Sequence, residues 1–318
     1  MKVLSKKFNP HIYISEKVKE IKNMIGDDLA VTALSGGVDS SVVTMLGHKA
    51  LGNQLKAYFI NNGLMRKGEP EQVVAVFKKL GVKVEVVDAR SKFFSALAGI
   101  SDPEEKREAI TQTFYKEVFQ KLVKTHQAKY LLQGTILTDI EETAAGIKRQ
   151  HNVFAQIGID PQKAFGYRML EPLIDLRKDG VRRVAKALGL PVAVYQRMPF
   201  PGPALSARVI GSVTPEKIDL VRKVTLIVEN QLRKSGAFQY MAILHNDRVT
   251  GMREGKRAFG LQVEIRCWDS LDARKAYPTK LPFSVLTKLA DKIVAACTEI
   301  VSVTYNIASK PPSTMEAV

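Results

Sequence analysis

The stretch from residue 29 to residue 51 limits the possible folds more than any other part of the chain. Leu29–Leu34 (LAVTAL) is a short unbroken apolar run, the pattern of a strand buried on both faces. Ser35-Gly36-Gly37-Val38-Asp39-Ser40-Ser41 follows at once, and Ser40–Leu51 carries a helical pattern. A strand that ends in a glycine turn and reopens as a helix aims backbone N–H groups at one point, where the helix dipole is positive. Gly36 and Gly37 are expected to adopt positive φ and let an anion approach the backbone closely. The hydroxyls of Ser35, Ser40 and Ser41 and the amide of Val38 add donors, and Asp39 is placed either to cap an N–H or to help hold Mg²⁺. No Gly-Lys-Ser/Thr follows at the spacing of a Walker loop. The ligand to expect is a phosphate group.

The rest of the first half repeats the alternation. Strands are predicted at Leu55–Ile60, Val82–Val87 and Tyr130–Gln133, and helices at Glu69–Leu80, Pro103–His126 and Gly180–Leu188. Strands alternating with helices imply βαβ units around a parallel sheet. Ile110, Phe114, Val118 and Leu122 recur every fourth residue and predict one buried stripe on the Pro103–His126 helix. Pro199, Pro201 and Pro203 read as a hinge, so domains are expected at 1–200 and 201–318. Beyond it lie predicted helices at Pro215–Lys234 and Phe283–Ile300, and strands at Phe238–Leu244, Leu261–Arg266 and Ser302–Ile307. Leu286, Leu289, Ile293, Ala296 and Ile300 mark a buried face on the second of those helices. The fold class is therefore an α/β parallel-sheet domain followed by a smaller α+β domain.

Composition narrows the function classes. The 318 residues are 45% apolar and 25% charged, enough for a sizeable core. No run of about eighteen apolar residues occurs and no secretory leader is recognised, so a cytoplasmic protein without a membrane span is expected. Cys267 and Cys297 lack metal-ligand spacing and read as two buried reduced thiols. The net charge of +16 favours polyanionic ligands. The basic residues are spread along the chain without a nucleic-acid motif, so an anion held in a cleft is the better reading, with RNA left open.

SGGVDSS resembles the pyrophosphate loop of the N-type ATP pyrophosphatases, the adenine-nucleotide alpha-hydrolase-like PP-loop proteins. Further runs are similar to the GMP synthetase family among them: Phe59–Arg66 (FINNGLMR), Ser95–Gly99, Asp102–Arg107, Gln133-Gly134-Thr135 with Asp139 and Glu142, Pro199–Pro203 and Lys310-Pro311-Pro312. They stand in order from Leu29 to Glu316. The resemblance implies an ATP pyrophosphatase domain followed by a dimerisation domain that helps bind xanthosine monophosphate (XMP). ATP and Mg²⁺ would be required, and adenylation of XMP O2 would be followed by amination with ammonia. It implies the loop Ser35–Ser41 and Gly134 for ATP, with Asp39 and Glu142 as metal-related carboxylates and His151 as a group near the pyrophosphate. Arg208, Arg248, Lys310, Thr314 and Glu316 fall to substrate binding. No glutaminase domain is recognised, so ammonia is expected from solution or from a separate glutamine amidotransferase subunit. The chain departs from the family pattern at Asn61, Gln150, Phe154, Ala204, Ser206, Asn246, Ser302 and Ala317-Val318. Two other readings stay open on these residues: a paralogue that adenylates another nucleotide or RNA, and a regulatory homologue that binds nucleotide without turnover.

Overall fold

The computed structural model describes residues 8–144, 162–163, 166–271 and 273–317, with the side chains of 142–144 left aside. These residues pack as two compact units that share the chain unequally. The first holds residues up to Asn61, Gly68–Ala89 and Thr111–Arg197, and the second Asn62–Lys67, Arg90–Ile110 and Met198 onward.

The first unit is built on five parallel strands: β1 (Ala30–Leu34), β2 (Leu55–Asn61), β3 (Val84–Asp88), β4 (Tyr130–Leu132) and β5 (Arg168–Leu170), in the order β3-β2-β1-β4-β5. Central β1 is buried along almost all its length, as its unbroken apolar run requires. Edge strand β3 is largely exposed. The strand order reverses between β1 and β4, and this switch point is where open α/β sheets receive ligands, at the carboxyl ends of the strands. Helix α1 (Pro10–Ile25) packs with α2 (Val38–Leu51) and with α8 (Lys178–Ala187). The sequence pattern did not single out α1, although Asn9 caps it by accepting from the His11 amide at 2.9 Å and Pro10 stands at its first position. Such a cap is worth about 1 kcal/mol.

Three further helices follow in this part of the chain. Helix α3 (Glu69–Lys79) lies close to its expected bounds, α7 (Leu137–Ala144) follows Gly134, and α9 (Val192–Tyr195) is short. The expected single helix Pro103–His126 is interrupted: α5 (Pro103–Gln112) passes into a π-helical stretch, Thr113–Phe119, and then α6 (Gln120–His126). The wider turn advances the buried face by one position. Tyr115, Phe119 and Val123 are buried with Val118, while Phe114 and Leu122 are only half-buried, so the regular four-residue stripe does not hold past Ile110.

Besides Asn62–Lys67, the second unit holds α4 (Arg90–Leu97) and most of α5, and continues with α10 (Pro215–Leu232), β6 (Gln239–Arg253), β7 (Lys256–Ser270), β8 (Ala276–Pro278), α11 (Phe283–Ala296) and β9 (Ile300–Tyr305). β7 runs antiparallel to β6 and β8 and parallel to β9. The hairpin arms are about twice the expected length. The register shifts between Leu244 and Arg248, and the sequence pattern of a half-buried strand ends at that irregularity. Beyond it, Gly251 and Gly260 lie against Val301, where a Cβ on either would come within 2.6 Å of that side chain. Met241, Ile243, Trp268, Ala276 and Met315 form a core cluster that takes in Trp268. Leu289 and Ile293 are the buried positions of α11, and Ile300 belongs to β9 instead. Both cysteines are buried and unpaired.

Candidate phosphate-binding site

The loop Ser35–Ser41 leaves the carboxyl end of β1 and opens α2, which begins at Val38, two residues earlier than expected. Of the two glycines only Gly36 has positive φ (75°). Gly37 is the extended N-cap (φ −77°, ψ 160°), so the expectation of a left-handed Gly37 is corrected: its small size serves access, not dihedral freedom. The hydroxyls shape the loop from within. Ser40 Oγ accepts from the Ser35 amide at 3.2 Å, and Ser41 Oγ donates to the Gly37 carbonyl at 2.7 Å. The amides of Val38, Asp39 and Ser40 are the first-turn donors that a helix leaves without intrahelical acceptors. They can receive an anion at the switch point.

Gly134 follows β4 and abuts this turn; a Cβ there would stand 3.1 Å from both Asp39 C and Ser40 N. Asp39 does not cap the helix. Its Oδ2 accepts from Lys178 Nζ at 2.5 Å, while Oδ1 is buried with no hydrogen-bond partner among the described residues. The Lys178 ammonium is about half exposed, so the pair is worth at most about 1 kcal/mol and yields easily to a stronger ligand. Among the described residues no group of three or more His, Cys, Asp or Glu gathers to hold a metal. Mg²⁺ commonly needs only one or two carboxylates beside phosphate oxygens, and the orphaned Oδ1 suits that role. Behind Gly134, Thr135 donates to Glu171 Oε1 at 2.5 Å, and burial pushes the Glu171 carboxyl above the usual range. The Glu142 side chain, His151, Gln150 and Phe154 lie outside the described residues.

Lys178, Arg197 and Glu69 are neighbours of the loop that the sequence pattern did not reveal. Arg197 Nη1 donates to the Gly36 carbonyl at 2.8 Å and its Nη2 pairs with Glu69, which is nearly fully buried. Residues so far from the loop in sequence carry no local signal of their role.

The expected substrate residues lie in the second unit. Arg208 is fully buried, not a surface cation: it pairs with Glu316 at 3.3 Å and faces the Phe200 ring, with Nη1 lacking a partner among the described residues. The two charges offset each other. Gln239 also donates to Glu316, at 3.0 Å. Lys310 does not extend its ammonium freely as expected, because Nζ donates to the Ala273 carbonyl at 2.8 Å. Thr314 Oγ1 donates to the Glu316 carbonyl, and Arg266 donates to the Thr314 carbonyl at 2.7 Å, so the tail is folded down. Arg248 is exposed on the outer part of β6. Among the departures from the family pattern, Ala204 adopts φ 55°, a conformation costing an L-residue about 1–2 kcal/mol, and Ser206 turns its hydroxyl onto the Pro203 carbonyl. Ser302 donates to Gln262 at 3.3 Å, and Asn246 accepts from Lys217 at 2.5 Å.

A parallel sheet carrying this loop at its switch point defines a PP-loop nucleotide-binding protein, and residues 10–193 match the PP-loop domain family. Residues 226–317 match the GMP synthase C terminal domain. The chain is 45% identical to a subunit of the GMP synthase (glutamine-hydrolyzing) of Pyrococcus horikoshii over 307 residues, 96% of this chain and 98% of that one. It is 42% identical to the corresponding subunit of the Methanocaldococcus jannaschii GMP synthase over 314 residues, 97% and 99% of the two chains. The GMP synthase (glutamine-hydrolyzing) of Pyrobaculum aerophilum is 42% identical over 323 residues, 98% of this chain and 63% of that longer one. The chain belongs to the GMP synthase family, and within it is similar over nearly its whole length to the separate subunits of the first two organisms.

Proposed function

We propose that this chain is the ATP pyrophosphatase subunit of a GMP synthase. The reading is carried by the SGGVDSS loop on the carboxyl end of β1, in a chain that is alike almost end to end to a GMP synthase subunit. XMP O2 attacks the α-phosphate of ATP, the bond to the β-phosphate breaks, and pyrophosphate leaves from adenylyl-XMP. Ammonia then attacks C2 and AMP departs, leaving GMP and a proton. The loop amides and the α2 dipole meet the phosphates and the charge that grows on the leaving group. Asp39, through Oδ1, would hold Mg²⁺ with Glu142, and the ion would neutralise phosphate charge; His151 would stand by the pyrophosphate.

We assign ATP chemistry to residues 1–200, and acceptor binding and dimerisation to 201–318. Arg208, Arg248, Lys310, Thr314 and Glu316 form the acceptor site in this reading, with Arg208 acting through the donor it has left over. Exposed Tyr277, Phe283 and Ile307 support a homodimer. A separate glutamine amidotransferase subunit would supply ammonia, and the buried free thiols suit the cytoplasm. No described helix is long and apolar enough to cross a membrane. The test is to follow AMP and GMP with the full chain, Mg·ATP, ammonium and XMP. GMP formed in step with AMP is expected. AMP release that ignores XMP would overturn the acceptor; no XMP-dependent AMP and no GMP would overturn the GMP synthase reading and leave the ATP pyrophosphatase reading standing.

A further inference from the structure

The peptide between Gly36 and Gly37 is the only Gly-Gly link in the sequence. With a glycine on each side, neither φ nor ψ is held by a Cβ, so this peptide plane is the one most free to turn over. It also matters most to the loop. A trans peptide is rigid, and its carbonyl and N–H point in opposite directions. Whatever holds the Gly36 oxygen therefore fixes the direction of the Gly37 amide. Arg197 holds that oxygen, at 2.8 Å from Nη1. The same guanidinium is held in turn by Glu69, at the first residue of α3, whose side chain is only 4% exposed. The pair encloses Gly36: a Cβ there would lie 2.8 Å from Arg197 Nη1 and 2.9 Å from Glu69 Oε1. On the other side of the plane the Gly37 amide points to Ser35 Oγ at 3.4 Å, a long contact that an anion's oxygen can replace.

We infer that Arg197, braced by Glu69, is a positioning residue that locks the Gly36–Gly37 peptide so that the Gly37 amide faces the phosphate. The inference rests on the proposed phosphate role of the loop and adds a residue to it. Only arginine suits the task. Its planar fork reaches the carbonyl and the carboxylate at once, whereas a lysine ammonium is a single point. Because Glu69 is buried, removing its partner outright endangers folding. The milder variants Arg197→Lys and Glu69→Gln keep, respectively, the positive charge and the side-chain shape.

The experiment measures binding of inorganic pyrophosphate with Mg²⁺ to the full chain by calorimetry, beside thermal melting and far-UV circular dichroism. We expect affinity to fall at least tenfold in Arg197→Lys and severalfold in Glu69→Gln, with the spectrum unchanged. The Michaelis constant for ATP should rise in parallel, and that for XMP should not. A purely structural pair would lower the melting temperature and leave pyrophosphate affinity as in the wild type; that result overturns the inference. Failure of the wild type itself to bind pyrophosphate overturns it too. If the wild type binds pyrophosphate but makes no GMP, the acceptor reading falls while the clamp stands.

Discussion

Replacing Gly134 by alanine tests whether the end of β4 sets the phosphate loop. The new methyl would lie 3.1 Å from Asp39 C, 3.1 Å from Ser40 N and 3.3 Å from Asp39 Cβ. Carbon atoms rest at about 3.5–4.0 Å, so the two backbone segments must part by roughly 0.5 Å. Backbone cannot swing aside as a side-chain tip can, and such overpacking costs about 1–3 kcal/mol. The melting temperature should fall by roughly 2–10 °C. The displaced atoms are the first turn of α2, whose amides are to hold phosphate. Loss of about one hydrogen bond to a charged group, roughly 1.5–3 kcal/mol, corresponds to about a ten- to hundredfold weaker affinity for Mg·ATP. Calorimetry with Mg·ATP measures it. Gly47→Ala is the control: its Cβ would come within 2.7 Å of Leu132 Cδ2 and 3.1 Å of Leu55 Cδ2, in the middle of α2 and away from the loop. It should lose stability but keep ATP affinity. If Gly134→Ala melts earlier yet binds ATP as tightly as the wild type, β4 does not position the loop and the reasoning fails.

Gly37→Val should abolish ATP binding with little change in melting temperature, since Gly37 has an ordinary extended backbone and its Cβ would meet only Ser35 Oγ among the described residues, at 3.3 Å; calorimetry showing retained affinity would refute the access argument. Lys310→Ala removes the bond to Ala273 and should raise the Michaelis constant for XMP about tenfold or more while ATP affinity holds, which steady-state kinetics reads directly. Lys106 is buried and donates to the Val209 carbonyl at 2.8 Å; burial first, then neighbouring Lys217, bring its pKa down to about 8, against the pull of Asp102. Between pH 8 and about 10.4 the unfolded chain binds more protons than the folded one, so this lysine adds stability as pH rises. Wild type should gain up to about 2 kcal/mol between pH 7.5 and 9.5 relative to Lys106→Met, and denaturant unfolding at the two pH values with equal differences would contradict it.

Much of the geometry of the candidate phosphate loop was legible because one contiguous segment supplies strand, turn and helix together. The apolar run of β1 fixed its burial, and the glycines and serines fixed the place of the turn. Which glycine needs positive φ was not legible, because the Arg197 and Glu69 side chains that enclose Gly36 come from distant parts of the chain. The same holds for Lys178 on Asp39. At the other end of the chain, the charged types of Arg208 and Lys310 were legible, but not their partners: Arg208 pairs with Glu316 and keeps Nη1 over among the described residues, and Lys310 gives one donor to the Ala273 carbonyl. The π-helical turn at Thr113–Phe119 escaped because one inserted residue leaves the composition unchanged and only shifts the phase. The outer hairpin escaped because its residues beyond Leu244 are mostly polar and exposed, without the alternation that burial imposes.

The chain crosses between its two units after residues 61, 67, 89, 110 and 197. That has a consequence for how the protein is made. Lys106 waits for an acceptor 103 residues downstream, which a ribosome delivers roughly 5–20 s later. Until then the segments 62–67 and 90–110, which meet each other at Gly63, Arg90 and Phe94, have the rest of their unit still to come. A gene split at the proline-rich hinge would strand both segments in the wrong half. Neither unit is one continuous stretch of sequence, so no single cut in the chain separates them.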